Sequence, residues 1–175
     1  MTVTFRIISA EQDDFLREVA IDGHRSFLYF HNYLQQLLGY DASNMASFIL
    51  SDQEWNRQKE ISLIEMPDNE AGDISIMDDA SICDYITAAK QRLMYVFDFF
   101  SERAFFIEVS AITKEKLENP VCLRSEGQPP AQIEIGDILN STPKEFDEED
   151  TEDEFQKLLD MDAPLENNPD LEGLY

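Results

Sequence analysis

Basic residues are scarce in this chain. Thirteen Lys and Arg stand against 37 Asp and Glu, a formal net charge of −24. A protein that grips a phosphate backbone gains affinity by releasing counterions through clustered cations. No such cluster is present: Arg6, Arg17, Arg25, Arg57, Lys59, Lys90, Arg92 and Arg103 stand singly or in pairs among acids. The expectation is no direct nucleic-acid binding, and anionic membrane surfaces are disfavoured for the same reason. Cysteine is nearly absent too. Cys83 and Cys122 are too few to staple a domain of this size, which fits a reducing cytoplasm. No apolar run approaches the roughly 20 residues needed to span a bilayer. The start, Met1 to Ile8, lacks the basic stretch and apolar core of a secretory leader. Two histidines, His24 and His31, without H-x-x-x-H spacing make no zinc site. There is no P-loop, no G-x-G-x-x-G and no G-x-S-x-G elbow, so neither a cofactor nor a serine nucleophile is expected.

What is present is enough for a core. Hydrophobic residues make up 43% of the 175 and aromatics 11%, sufficient for one domain with room for an appendage. Val3–Ala10 and Phe15–Ile21 read as two strands joined by the short polar link Glu11–Asp14. In the second strand Phe15, Arg17, Val19 and Ile21 share one face, leaving Leu16, Glu18 and Ala20 on the other. Ser26 is placed to cap a helix in which Phe27, Phe30, His31, Leu34, Leu37 and Leu38 form one apolar stripe, and Gly39 stops it. Phe48–Leu50 and Ile61–Ile64 are short strands, with Trp55 between them.

Met66–Asp79, acidic and holding Pro67, Asn69 and Gly72, reads as a long surface loop. Ser81 opens a short helix over Ile82–Lys90. The runs 93–100 and 104–109 alternate Tyr95, Phe97 and Phe99 against Phe105, Ile107 and Val109, the period of a β-hairpin. Pro120–Pro130 reads as irregular, and Ile133, Ile135 and Ile138 as a last strand. Residues 1–139 then form the domain. Residues 140–175 form an acidic, largely flexible tail, because thirteen acids against two lysines from Lys144 to Tyr175 repel one another. Only a short helix, expected at 152–160, interrupts that tail.

Three separated segments resemble one family in the right order. Phe15–Ile21, the helix holding His31, Gly39-Tyr40 and Phe48 are similar to the opening I-W-R-R-I-x-V, L-H-x-x-I-Q and F-G-W motifs of the plasmid pRiA4b ORF-3-like family. Leu93–Val109 resembles that family's central Y-x-Y-D-F-G-D-D-W hairpin. Asn119-Pro-Val-Cys122, Glu126-Gly127 and Pro129-Pro130 resemble its closing C-x-x-G-E-x-x-x-P-P-E-D segment. The resemblance covers roughly residues 3–135 and leaves out the tail. It implies an α+β domain of the MM3350-like kind, with helices packed on a mostly antiparallel sheet. Members are mostly uncharacterised, and some are labelled resolvase-like passengers of insertion elements. The chain departs from the pattern where polar groups cluster. Phe100, Ser101, Glu102 and Arg103 replace the glycine, paired acids and tryptophan of the hairpin, and Ala131 and Gln132 replace the closing acids.

Four polar residues are candidates for a site: His31, Asp98, Glu102 and Cys122. His31 has the residue type of a general base or metal ligand, but on an apolar helix face a core histidine bonded to a backbone carbonyl is favoured. Cys122, near Arg124, has the residue type of an activated thiol, yet no base stands next to it. A buried structural cysteine is favoured there and at Cys83. His24 reads as a solvated loop residue. Asp98, Glu102 and Glu108 read as structural or edge-solvating carboxylates. The acidic run Asp147–Glu154 lacks the glycine and placed glutamate of a calcium loop. Phe155, Leu158 and Leu159, at helical spacing in the tail, are candidates for docking into a partner's groove. The expectation is a cytoplasmic, non-enzymatic interaction or regulatory module whose partner is a protein, a basic one by charge complementarity. Two alternatives stand beside it: an accessory of mobile-element or DNA transactions acting through a protein partner, and an enzyme with a degenerate polar site.

Overall fold

The structure is a computed structural model and describes residues 1–65 and 74–132. The expected strand at Ile133–Ile138, the tail from 140, its helix at 152–160 and the residues Phe155, Leu158 and Leu159 all lie outside the described residues.

Local chemistry builds the one long helix. Before α1 (Phe27–Leu38), the Ser26 hydroxyl accepts the Tyr29 amide at 3.3 Å, supplying one of the donors' missing partners. After it, Gly39 takes the left-handed backbone at φ 71°, and its amide reaches the Gln35 carbonyl. Phe27, Phe30, His31, Leu34 and Leu38 are buried along one stripe.

Eight strands form one sheet among the described residues: β1 (Thr2–Ser9), β2 (Leu16–Asp22), β3 (Ser47–Ser51), β4 (Arg57–Ser62), β5 (Ile74–Ile76), β6 (Arg92–Asp98), β7 (Arg103–Thr113) and β8 (Val121–Glu126). Their order is β5-β4-β3-β6-β7-β1-β2-β8. Every neighbouring pair is antiparallel except β4 with β5. The second helix, α2 (Ile82–Tyr85), has only four residues.

This corrects the α+β expectation. Twelve residues in α1 and four in α2 stand against eight strands, so the fold is mainly β, not a sheet with packed helices. Three local expectations change with it. Ile74–Ile76, expected in a loop, is a strand beside β4. Val121–Glu126, expected to be irregular, is the strand at the edge next to β2. The helix expected to run to Lys90 ends at Tyr85 because the Gln91 side chain takes over the next free donors. Its Oε1 accepts the Thr87 and Ala88 amides at 2.6 and 2.7 Å, while its Nε2 donates to the Tyr85 carbonyl at 3.0 Å.

The core lies between α1 and the sheet and is largely aromatic. Phe5 stacks on Phe30 at 4.7 Å, Phe30 on Phe48 at 5.2 Å, and Phe48 meets Tyr95 at 4.8 Å. Each such ring pair adds about 0.5–1.5 kcal/mol beyond the area it buries. A smaller cluster of Ile49, Met94 and Val96 sits on the opposite face of the sheet. There the Asp52 carboxylate accepts the Glu54 and Asn56 amides, both at 2.9 Å, and closes the β3–β4 turn. Trp55, at φ 67°, folds from that turn onto Phe106, 4.8 Å between rings, with Arg92 over its indole at 5.0 Å. No helix among the described residues is long and apolar enough to cross a membrane.

Candidate functional site

The four polar candidates do not meet. His31 is 1% exposed in the core, and its Nδ1 lies 2.8 Å from the Tyr95 hydroxyl, which also receives Gln35 Nε2 at 2.5 Å. With the amide assigned so, the tyrosine proton goes to Nδ1 and the imidazole is neutral. Burial lowers the His31 pKa and raises that of Tyr95, so both stay uncharged near neutral pH. His31 is thus a core histidine, as favoured, but its partner is a side-chain hydroxyl and not a backbone carbonyl.

Asp98 ends β6 and organises the hairpin turn. Its Oδ1 accepts the Phe100 amide at 3.0 Å and the Ser101 amide at 3.2 Å, and its other oxygen lies 3.6 Å from Arg103. Glu102 is exposed and holds the turn's left-handed position at φ 52°. Cys122 sits on β8, which β1 and β2 separate from the hairpin of β6 and β7. It is half-exposed, not buried, and its thiol donates to the Arg124 carbonyl at 3.2 Å. Cys83 is half-exposed as well. A depression of about 50 Å³ beside Glu102, lined by Ile49, Arg57, Glu60, Val96 and Phe99, is far below the roughly 300 Å³ of small-molecule pockets. Among the described residues, no group of three or more His, Cys, Asp or Glu side chains is placed to hold a metal.

The fold does gather a different set, centred on Arg103. Its side chain is 9% exposed and pairs with Glu11 at 2.7 Å and with Asp98. It also donates to the carbonyls of Ala131 at 2.7 Å and Gln132 at 3.3 Å, with its guanidinium 5.0 Å from the centre of the Phe97 ring. A buried cation needs such partners to offset its lost hydration. Tyr40 completes the clasp by donating its hydroxyl to the Pro130 carbonyl at 2.6 Å, while its ring packs 5.5 Å from Phe97. Burial raises the Tyr40 pKa; nearby Arg103 opposes this and Glu11 adds to it, so the phenol serves as a donor. Gln132 closes the ring, accepting the Asp41 amide at 2.7 Å and donating to the Asp41 carbonyl at 3.0 Å.

A second clasp holds the end of β8. Arg17 donates to the carbonyls of Leu16 and Gly127, at 2.9 and 3.0 Å, and to that of Glu126. Gly127 has φ 62°, and a Cβ there would lie 2.5 Å from the Asp14 carbonyl oxygen, so only glycine fits.

Glu11, Tyr40, Arg103 and Gln132 were not legible as a group. Arg103 is one cation among many acids, and its two carboxylates lie 92 and 5 positions away in the chain. The only trace was the coincidence of Gly39-Tyr40, the hairpin and Pro129-Pro130 as landmarks. These three segments now prove to touch one another. Their polar atoms bond one another, so the arrangement positions chain segments.

What protrudes from the clasp is aromatic. Phe100, at the hairpin tip, is fully exposed, and Phe99 is 39% exposed. Exposed Glu11, Asp13, Asp14 and Glu102 share this end of the molecule, since the Arg103 pair joins the β1–β2 link to the hairpin.

The described residues thus define a mainly-β domain, an eight-stranded sheet folded over one helix, with its closing segment clasped to the central hairpin. The chain belongs to the plasmid pRiA4b ORF-3-like protein family, whose model matches residues 3–161. That match runs past residue 135, the limit of the resemblance legible in the motifs, into the acidic segment. The chain is also similar in fold to a Methanosarcina mazei Go1 protein of unknown function, MM3350, known from its crystal structure. The similarity has a TM-score of 0.53 at 17% identity, over 71% of this chain and 69% of that one. No curated protein matches the chain.

Proposed function

We propose that this protein is a cytoplasmic, non-enzymatic interaction module. It docks through the tip of its β6–β7 hairpin onto a protein partner that offers an apolar pocket with a basic rim. The observation that carries this reading is Phe100, a large apolar side chain held fully in solvent on a turn that is itself immobilised. Asp98 fixes the turn from inside, and Arg103 ties its base to Glu11 and to the closing segment. An aromatic side chain presented on a rigid support loses little conformational freedom on docking, which favours it as an anchor. The acids at this end steer a basic rim toward it. The dispersal of His31, Asp98, Glu102 and Cys122 supports a binding role over a catalytic one.

The test is Phe100→Ser in the full-length protein, with quantitative co-purification from the native cell. The substituted side chain packs against little, so the unfolding free energy stays within about 0.5 kcal/mol of wild type. At least one partner recovered with the wild type is lost, and its capture by wild type weakens as salt is raised. An unchanged partner set with Phe100→Ser removes the basis for the reading.

A further inference from the structure

The fold brings together a thiol and an imidazole from segments 59 positions apart, and the clasp and the hairpin tip use neither. Cys83 Sγ lies 3.7 Å from His24 Nδ1, within the range of a hydrogen bond to sulfur. Three backbone bonds between the two segments hold this approach. The Phe27 amide donates to the Ala80 carbonyl at 2.9 Å, Ile82 to Arg25 at 2.9 Å, and Cys83 to Gly23 at 2.8 Å. The Asp22 carboxylate accepts the His24 amide at 3.0 Å and fixes the histidine's backbone. His24 is exposed and Cys83 half-exposed, so solutes reach the pair. The second cysteine is an internal control. The Cys122 thiol donates to the Arg124 carbonyl, a group that accepts a hydrogen bond but takes no proton.

We propose that Cys83 is a modification site for hydroperoxides, with His24 as its base. His24 Nδ1 takes the thiol proton. The sulfur then attacks the near oxygen of the peroxide, so an S–O bond forms as the O–O bond breaks. The proton passes from the imidazolium to the departing oxygen. The products are the Cys83 sulfenic acid and water, or an alcohol from an organic peroxide: sulfur is oxidised and the peroxide reduced. Asp84 Oδ1, 3.9 Å from the sulfur, is a second acceptor for the thiol, and Asp22 carries a carboxylate beside His24 with the Met1 amine 3.9 Å from it.

The test treats the full-length protein with hydrogen peroxide at neutral pH in the presence of a sulfenic-acid trap. Mass spectrometry reads trapping at Cys83 and Cys122 separately. Cys83 is expected to react at least about tenfold faster than Cys122. His24→Ala and His24→Asn, which leave the backbone zipper and the circular dichroism spectrum intact, are expected to bring Cys83 down to the Cys122 rate. Equal rates in the wild type, or a Cys83 rate that neither variant lowers, overturns the proposal.

Discussion

Beneath α1, Phe5, Phe48 and Tyr95 join Phe30 in a continuous aromatic stack. On the other side of the same strands, each one's immediate neighbour faces away from the helix, and there the chemistry is charged as well as apolar. Across five adjacent strands run Arg92, Glu108, Arg6, Glu18 and Arg124, each opposite the next in register. The signs alternate along the whole row. Arg92 and Glu108 approach to 3.5 Å and Arg6 and Glu18 to 3.7 Å, while Arg124 turns along its own strand to Glu126 at 2.8 Å. Beside this row lies a second one of Ile49, Met94, Phe106 and Ile8, on which Trp55 packs against Phe106 while Ile8 at the end is 44% exposed. The two faces show how one alternating strand pattern divides its work. One face supplies the free energy of folding, and the other sets register and solubility, because a one-residue slip would replace charge pairs by charges opposite apolar side chains, Glu18 meeting Phe5 or Ile7 in place of Arg6.

Breaking the helix-side face costs most. Phe48→Ala removes a ring that touches Phe27, Phe30 and Tyr95, and is expected to destabilise by about 3–5 kcal/mol, read from the urea midpoint. A loss under about 1 kcal/mol would mean that the stack is not what holds helix to sheet.

The polar inclusion in that face yields a smaller, pH-dependent effect. His31 has a folded pKa below its ordinary 6.5, so the unfolded chain binds the extra proton as pH falls through that value. The stability associated with the neutral imidazole is therefore complete above pH 6.5 and drains away below it, down to the folded pKa. Melting temperatures of wild type and His31→Gln between pH 7.5 and 5.5 check this. Wild type is expected to lose stability relative to the variant as pH drops, and parallel curves would show that His31 does not titrate between the two states.

The outer face gives the smallest effect. Glu18→Gln breaks the alternating row at a partly exposed site and is expected to cost under about 1 kcal/mol, less still at high salt. A loss above about 2 kcal/mol at high salt would place the row among the main supports of the fold, and the division between faces would fail.

Elements specified by their own neighbours were the legible ones. Ser26, the apolar stripe and Gly39 define α1 within the span Ser26–Gly39, since capping and helical period act over a few positions. The alternation of Tyr95, Phe97, Phe105, Ile107 and Val109 marked the hairpin for the same reason. β8 escaped notice because Val121-Cys-Leu-Arg-Ser-Glu lies at an edge, with Val121 and Leu123 40% and 59% exposed, and so carries no buried alternation to read. β5 has three residues and borrows its partner from β4. The α+β expectation came with the family resemblance, and with those two strands unread and α2 overextended nothing in the local patterns stood against it. The candidate site fared worse: each residue was judged by its chain neighbours, and those neighbours did not include Tyr95 for His31, Glu11 for Arg103 or His24 for Cys83.

By itself, then, the sequence determined the helix and its two ends, the central hairpin, the family and the surplus of acid, all set by short-range chemistry or by composition. Only the tertiary structure decided that Arg103 would clasp the closing segment, that five charges from five strands would alternate in one row, and that a thiol would meet an imidazole. Each of those pairings depends on strand register and on backbone brought close across long loops, quantities that no local window of residues contains.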